Sequence, residues 1–493
     1  MEKAEEKEKA MDKEKVKTSI EKNVAYLREE LGVGKSFDVI HLDVEYAEKK
    51  IALFLVDGLV KDDILHLLMK FLANVKKEEL EKDVLKSLLK TYIPYVEIDT
   101  TDDLNKVVDT VLSGPTAFVV DGIDEVILID ARTYPVRGPE EPDTERVVRG
   151  SRDGFVETIV FNTALTRRRV RDRTLRMEFM QLGRRSKTDI VISYIEDIAD
   201  LSMIKELKEK LSKIDTDGLP MADKTIEEYI SGSFWNPFPV VRYTERPDTV
   251  ATHLFEGHVI IFVDGSPSAM ITPVTFWHHL QHAEEYRNKP LTGTYLKFVR
   301  YMAVFASIFL MPLWFLFNLE PDLLPNQFDF IGPNTEGQVP LLVQFLLIEV
   351  GLDMLRMAAI HTPTSLATAL GLVAALMIGQ VAVEVGLFTN EVILYFSIAA
   401  IGTFATPSYE LSLANRLIRI ALLLSTALFH TYGYVIGVVL FIIMLARIQS
   451  FGVPYLWPLI PFNPRAFRDA LIRAPIPLKN RRPRILNPQD PDR

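Results

Sequence analysis

Cysteine is missing from all 493 residues of the chain. Its absence excludes disulfide bonds, thiolate metal sites and cysteine nucleophiles. An apolar core is missing from residues 1–17, so we expect no cleavable signal peptide and a cytosolic N-terminal half. No Ser-His-Asp arrangement and no Gly-x-Ser-x-Gly elbow stands out, so we expect no enzymatic activity and no cofactor.

Charge is distributed unevenly along the chain, which has 56 Lys and Arg residues against 66 Asp and Glu residues. The first part, to about residue 296, is densely charged, whereas 301–446 contains several long stretches almost without charge. This contrast and the length exclude a single soluble domain. We therefore expect an α/β cytosolic N-terminal region, consisting of two small α/β subdomains, followed by an all-α polytopic membrane domain.

The predicted organisation has five parts. They are a charged tail at 1–22, a first α/β cytosolic subdomain at 23–140, a second at 141–290 with an Arg-rich segment, a helical membrane domain at 291–450, and a Pro/Arg-rich cytosolic tail at 451–493. The prolines of the last part favour an extended rather than a helical chain.

A membrane-spanning helix needs about 20 mostly apolar residues. Five runs of the membrane domain are candidates, at about 299–319, 339–360, 365–387, 391–409 and 418–447. The last run favours either one long helix or a broken, tight pair, so we expect four to six segments. Lys and Arg accumulate on cytosolic loops. The acidic loop after the first run is therefore predicted to be external, and both chain termini are predicted to be cytosolic.

Polar residues within the apolar runs are the candidates for an ion pathway. Glu349, Asp353 and Arg356 share one helical face, which must be turned toward protein or water. Gln380 and Glu384 are four residues apart, where a polar ring would favour cations. Small residues in the same run also fit close helix packing without a pore. The full set of pore candidates is Glu349, Asp353, Arg356, Leu372, Ala375, Gly379, Gln380 and Glu384.

The cytosolic part contains strand, turn and helix signals. Strands are predicted at 37–42 and 50–56, a helix at 61–72, and a β-hairpin at 117–129 around an Asp-Gly turn. The pattern Val-Asp-Gly occurs three times, at 56–58, 120–122 and 263–265. Three copies fit a duplicated α/β unit and three ordinary turns equally well.

The most basic segment, 146–187, predicts a contact with lipid headgroups or with another subunit. Few aromatic residues lie among its arginines, so we expect no binding of nucleic acid. The contact candidates are Arg149, Arg152, Arg167, Arg168, Arg169, Arg184 and Arg185. His278 and His282 have the spacing of two metal ligands. An interfacial helix anchored by Trp277 is the preferred interpretation, and we expect no metal site.

Several motifs occur in a fixed order along the chain: 149–157, 162–165, 183–188, 263–267, 273–276, Tyr286, 300–301 and 378–384. Together they resemble the A subunits of the GerA-type spore germinant receptors. The segment 149–157 is similar to the GPREGFTE-type element of that family, and the similarity extends from about residue 25 to 450. Met357 departs from the family pattern, which has a Glu there. The charged N-terminal tail and the ending of the chain resemble a sporulation-specific paralogue more than a nutrient receptor.

The resemblance implies a subunit of the spore inner membrane that promotes or amplifies germination. It implies a homo-oligomer, as a pentamer, that conducts monovalent cations and works with a small membrane protein or with receptor B and C subunits. An alternative is a germinant-receptor signalling scaffold without its own pore, whose acids pair only with Arg356. A secondary transporter is a further alternative, although no repeat stands out among the membrane segments.

Overall fold

The computed structural model describes residues 14–75, 77, 84–93, 97–132, 145–232, 235–324, 338–361, 377–479 and 481–492. The chain divides into two compact units, and both are discontinuous in sequence. Unit 1 comprises Met1–Phe234, Tyr243–Pro273 and Pro477–Arg493, and unit 2 comprises Trp235–Arg242 and Val274–Ile476.

Unit 1 begins with a five-stranded antiparallel sheet. Its strands are β1 (Val39–Tyr46), β2 (Lys49–Val56), β3 (Ile98–Thr101), β4 (Thr116–Val120) and β5 (Val126–Ile129), in the order β1-β2-β4-β5-β3. The helices of this part are α1 (Ile20–Glu30), α2 (Asp62–Leu72), α3 (Val84–Ser87) and α4 (Leu104–Leu112). The strands, the helix near 61–72 and the hairpin expected from the sequence are all present.

The first sheet is covered by helices on both faces, because β2, β4 and β5 are apolar along most of their length. Ala52 and Phe54 of β2 pack in one core with α1 and α4. Ile51 and Leu53, which point the other way, pack in a second core with α2 and the segment 84–93. Side chains alternate between the faces of a strand, so an apolar run without alternation requires a cover on each side.

A second five-stranded sheet repeats this arrangement. Its strands are β6 (Leu175–Leu182), β7 (Thr188–Ile195), β8 (Arg242–Thr244), β9 (Val259–Val263) and β10 (Ala269–Thr272), in the order β6-β7-β9-β10-β8. The accompanying helices are α5 (Ile159–Arg169), α6 (Leu201–Ser212), α7 (Ala222–Ser231) and α8 (Pro247–Glu256). The order of helices and strands along the chain and the order of strands in the sheet are the same in both halves.

Equivalent side chains confirm the duplication that the sequence left open. The Asp121 carboxylate accepts a hydrogen bond from the Ile20 amide at 3.4 Å, and Asp264 accepts one from the Ile159 amide at 3.1 Å. Ile20 and Ile159 are the first residues of α1 and α5. Two of the three Val-Asp-Gly copies therefore cap a helix: one caps α1 in the first half, and the other caps α5 in the second half. The third, at 56–58, follows β2 and is an ordinary turn.

The C-terminal segment of unit 1 is bound to the second half of that unit. The Gln489 side chain donates to the carbonyl oxygens of Glu196 and Ala199 at 2.9 and 2.8 Å. Arg482 Nε donates to the Phe255 carbonyl oxygen at 2.9 Å, and Leu486 is buried. The described end of the chain therefore has fixed contacts, which its proline content did not predict.

Unit 2 is mainly helical. Its helices are α9 (Phe276–His279), α10 (Ala283–Arg287), α11 (Pro290–Leu319), α12 (Leu341–His361), α13 (Ala382–Glu384), α14 (Asn390–Phe404), α15 (Tyr409–Arg447) and α16 (Pro464–Leu471). A short π-helix, Met377–Val381, leads into α13, and β11 (Gln449–Ser450) pairs with β12 (Val453–Pro454). Among the residues that the structure describes, two helices, α11 and α15, are long and apolar enough to cross a membrane. The expected extended tail after 450 is corrected by α16, which starts at a proline in the first helical position.

Helix α15 is a hairpin of two legs rather than one rod. The backbone leaves helical geometry at His430, where φ is 52° and ψ is −132°. Leu422 and Gly437 are neighbours, because a Cβ atom placed on Gly437 would lie 2.8 Å from Leu422 Cδ2. In a continuous helix these residues would be about 22 Å apart. The chain therefore reverses at His430, which selects the broken, tight pair among the two expectations for 418–447.

Glycine is required where backbones approach each other in unit 2. A Cβ atom on Gly433 would collide with the carbonyl oxygen of Ser425 in the other leg of the hairpin. One on Gly402 of α14 would collide with the carbonyl oxygen of Ala303 in α11. Further along these helices Tyr395 stacks on Trp314, so α14 runs antiparallel to α11. The helices pack through small residues, as membrane helices commonly do.

The hairpin predicts that two glycine substitutions differ in their effect on the unfolding temperature. Gly433→Ala should lower the unfolding temperature by several degrees, because overpacking of this kind destabilises by about 1–3 kcal/mol. Gly351→Ala in α12 is the control, since a Cβ atom there meets no atom within 4 Å. It should leave the unfolding temperature unchanged or raise it slightly. Thermal unfolding of both variants in detergent tests the hairpin, and an unaffected Gly433→Ala protein would contradict it.

Candidate functional site

The candidate site is a cluster of charged side chains in unit 2, in which Glu349, Arg416 and Arg419 are buried and Asp353 is partly exposed. Glu349 and Asp353 lie one turn apart on α12, and Arg416 and Arg419 lie one turn apart on the first leg of α15. Residues three or four positions apart share a helical face. The two acids and the two arginines therefore form facing pairs. The Glu349 and Arg419 side chains are 1% and 0% exposed, and that of Arg416 is 4% exposed.

Glu349 is the acceptor at the centre of the cluster. Its Oε2 accepts from Arg416 Nε at 2.8 Å, and its Oε1 accepts from Arg419 Nε at 2.6 Å. Arg416 also donates to the Glu349 carbonyl oxygen and to the Asp353 carboxylate. One carboxylate thus holds two guanidinium groups, and the second acid completes the pairing.

Arg419 connects α12 to two further helices. Its Nη1 donates to the Ser307 carbonyl oxygen in α11 at 2.6 Å and to Thr403 Oγ1 in α14 at 3.3 Å. Among the described residues, its Nη2 has no hydrogen-bond partner. Two carboxylates and two guanidinium groups make the cluster formally neutral. Buried charges are tolerated when they are paired and hydrogen-bonded, so the cluster can exist among apolar helices.

Arg356 does not take part in the cluster. Its guanidinium group lies over the rings of Phe404 and Tyr409, at 5.9 and 5.7 Å from the ring centroids. The predicted pairing of the α12 acids with Arg356 is therefore corrected. Asp353 pairs with Arg416 instead, 63 residues away in sequence.

Sequence analysis missed Arg416 and Arg419, because Arg416 precedes the predicted membrane run 418–447 and Arg419 lies at its edge, where a charged residue is common. The spacing of the charged residues was a signal that could have identified them. Arg416 and Arg419 are three residues apart, and Glu349 and Asp353 are four residues apart. Either spacing places both side chains on one helical face, so two oppositely charged faces could have been predicted to pair.

The other pore candidates lie apart from this cluster. Gln380 and Glu384 are exposed, and no hydrogen bond or ion pair joins Glu384 to another described residue. Gly379 is half-buried, and a Cβ atom placed on it would meet no atom within 4 Å. Leu372 and Ala375 lie outside the described residues. The structure therefore separates the predicted acids: Glu349 and Asp353 are paired with arginines, whereas Glu384 is exposed and lies outside that cluster.

The arginine candidates of unit 1 also differ from one another. Arg149 and Arg152 are exposed, and Arg168 is half-buried. Arg169 pairs with Asp153 at 2.6 Å, and Arg185 lies 3.6 Å from Asp217. Arg184 Nε donates to Asp215 at 2.6 Å and lowers the pKa of that carboxyl.

Arg167 is buried within its own chain, so its predicted contact with lipid or another subunit is corrected. Its Nε donates to Asp38 Oδ2 at 2.9 Å, and both side chains are 1% exposed. Asp38 directly precedes β1, whereas Arg167 lies on α5. This ion pair therefore joins the two halves of unit 1.

The histidines before α11 serve as helix caps. His278 Nδ1 accepts from the Thr275 amide at 3.0 Å at the start of α9, and His282 Nδ1 accepts from the Glu284 amide at 3.2 Å at the start of α10. Burial, followed by the nearby Arg242 cation, lowers the pKa of His279 to about 3. In the described part of the chain, no three potential ligands are grouped in a way that could hold a metal ion.

Comparison with known proteins identifies the family. The profile described as "Bacillus/Clostridium GerA spore germination protein" matches residues 25–485. The chain belongs to the GerA family of spore germination proteins. It is 50% identical to Stage V sporulation protein AF of Bacillus subtilis (strain 168), over 95% of each chain. It is 30% identical to Spore germination protein KA of the same organism, over 96% of this chain and 88% of that protein.

The resemblance inferred from the motifs, including that to a sporulation paralogue, is confirmed by these matches. A solved structure is also similar: the N-terminal domain of the A subunit of the Bacillus megaterium spore germinant receptor GerK3. Its identity is 27%, its TM-score is 0.43, and the match covers 54% of this chain and 98% of that domain.

The buried cluster predicts that two similar substitutions differ in effect. Glu349→Gln removes the charge that pairs with two buried arginines, and breaking a buried pair typically costs about 3–5 kcal/mol. We expect a large fall in unfolding temperature in detergent. Glu384→Gln, the same chemical change at an exposed position outside the cluster, should have almost no effect. Equal stability of the two variants would contradict the assigned role of Glu349.

Proposed function

We propose that the protein promotes or amplifies spore germination as a multi-pass subunit of the spore inner membrane, and that copies of it form a cation-conducting channel. Membership of the GerA family supports the role in germination. Two helices of sufficient length and apolarity support the membrane location. The cytosolic placement of both termini rests on the distribution of Lys and Arg.

The observation that carries the channel proposal is the exposure of Gln380 and Glu384 in the helical unit. An ionisable side chain at a lipid-facing position is costly, so Glu384 requires water or another protein surface. A ring of copies would supply both, since closed cyclic assemblies are the usual form of homo-oligomers. A ring of acids then enriches cations at the entrance of a narrow passage. The family resemblance suggests five copies.

The acids that pair with arginines have a different role in this proposal. Glu349 and Asp353 are paired with arginines, and their charge is cancelled within the cluster. They hold α12 against the first leg of α15 and leave attraction of cations to the segment with Gln380 and Glu384. The proposed ion pathway therefore runs beside the exposed side chains of Gln380 and Glu384 in each copy.

A signalling scaffold without a pore is the second candidate. The complete pairing of Glu349 and Asp353 favours it, because those two acids then need no ion to neutralise them. Similarity to Spore germination protein KA and Spore germination protein B1 supports a place in a germination complex. The family resemblance suggests receptor B and C subunits or a small membrane protein as the partners there. The two candidates differ in whether the purified protein conducts.

Ion flux through the reconstituted protein tests the proposal. Potassium flux into liposomes should be measurable for wild type, and its preference over chloride should fall several-fold in Glu384→Gln because the ring loses its charge. Asp322→Asn is a matched control, because Asp322 is an exposed acid in a turn after α11. The oligomer is checked by native mass measurement before each assay.

Each outcome decides between the candidates. Flux with unchanged selectivity in Glu384→Gln would keep the channel and place its lining elsewhere. Absence of flux from an assembled ring, both alone and with co-purified partner subunits, would reject the channel in favour of the scaffold.

A further inference from the structure

Helix α16 lies at the N-terminal end of α11, where the first apolar membrane candidate begins. Asn463 caps α16, accepting from the Ala466 amide at 3.1 Å, and Pro464 occupies the first position. The helix has only eight residues, a length that is marginal in isolation. Its position therefore depends on contacts with its neighbours.

Three side chains bind the end of α16 to α11. The Ala470 carbonyl oxygen accepts from Lys297 Nζ at 3.1 Å and from Tyr301 OH at 2.8 Å. The amide of Arg473 donates to Thr294 Oγ1 at 3.1 Å. A lysine at a helix C-terminus interacts favourably with the negative end of the helix dipole. These contacts fix which face of α16 remains open.

The open face of α16 and the preceding loop combines apolar and basic side chains. Arg465 and Arg468 are exposed and three residues apart, so they share one helical face, and Ile472 directly follows the last residue of the helix. Phe462 is 64% exposed, Ile472 is 49% exposed, and Leu459 and Ile460 are each 41% exposed. We call this surface the α16 collar; it consists of Leu459, Ile460, Phe462, Arg465, Arg468 and Ile472.

We propose that the α16 collar lies in the membrane surface and binds the headgroups of anionic phospholipids. Short amphipathic helices with arginines beside apolar residues lie at the boundary between headgroups and acyl chains. Arginines close to an anionic surface are attracted to it, and their stems cover apolar area. The α16 collar presents both positive charge and exposed apolar side chains.

The surroundings of the collar place it at the level of the interface. Trp277 packs on Phe467 of α16 at 5.9 Å and on Tyr301 of α11 at 5.6 Å between ring centroids. Trp and Tyr are enriched at membrane–water interfaces. The exposed apolar side chains Phe298, Met302 and Phe305 continue along α11 from this point. The apolar surface of the collar therefore continues onto a helix that is apolar enough to cross the bilayer.

A second copy of the chain fits this surface less well than lipid does. The only acid within α16 is Asp469, which accepts hydrogen bonds from Arg468 at 3.1 and 3.2 Å. Two collars facing each other across a symmetric contact would bring arginines together. Like charges at an interface oppose association. An anionic headgroup supplies the missing negative charge.

The absence of cysteine allows a direct test of depth. A nitroxide label on Ile472→Cys in full-length protein, reconstituted in an equimolar mixture of phosphatidylcholine and phosphatidylglycerol, should be more accessible to oxygen than to a water-soluble nickel chelate. Met221→Cys, an exposed position in unit 1, is the control and should show the opposite order. Equal accessibility patterns at the two sites would overturn the proposal. So would immobilisation of the Ile472 label that depends on protein concentration, because a second copy would then cover the collar.

Headgroup preference tests the arginines. The ratio of bound spin-labelled phosphatidylglycerol to phosphatidylcholine should fall by about threefold or more in the double variant Arg465→Gln, Arg468→Gln, because two attractive charges are lost. The double variant Lys205→Gln, Lys213→Gln removes the same charge from two exposed positions of unit 1 and should keep the wild-type ratio. An unchanged ratio in the α16 variant would reject the proposed headgroup contact. The test does not depend on whether the protein conducts ions.

Discussion

The ion cluster around Glu349 is the interaction on which the helical unit depends. Arg419 touches α12 through the Glu349 carboxylate, α11 through the Ser307 carbonyl oxygen and α14 through Thr403. An unpaired guanidinium group among apolar helices would be strongly unfavourable, so these helices can assemble only in an arrangement that satisfies it. Apolar contacts alone would allow helices to slide or rotate. The cluster favours one register, because Arg416 Nε and Arg419 Nε both donate to the one carboxylate of Glu349.

The same principle operates in the α/β unit. Arg167 of α5 is buried against Asp38, which precedes β1, and it joins two halves that repeat one strand order. In each half an aspartate, Asp121 or Asp264, accepts a hydrogen bond from the first amide of the leading helix. Duplication explains why two similar layers exist, but it supplies no contact between them. The Asp38–Arg167 pair is specific to the junction, because the two residues contribute opposite charges from different halves.

Local features of the sequence predicted the elements well, and distant pairings were not predictable. The hairpin of β4 and β5 follows from two apolar runs and an Asp-Gly turn, which are all contained in a short segment. Arg167 looked like a surface residue because it stands in a run of three arginines, and its partner is 129 residues away. Arg416 and Glu349 are 67 residues apart and posed the same problem. Helix α16 was missed because proline content suggested an extended chain, although proline at a first helical position favours a helix.

The division between buried and exposed acids limits where ions could pass. A cation that moved through the Glu349 cluster would approach two guanidinium groups and would have to break their hydrogen bonds, which also hold α11, α12 and α14 together. A pathway there would therefore conflict with the stability of the unit. Glu384 has no ion pair or hydrogen bond to another described residue, and its side chain is exposed. If ions pass beside Glu384, the opposite wall of the passage has to come from another copy. Conduction is then a property of the assembly, whereas the fold of each copy is secured by its own buried charges.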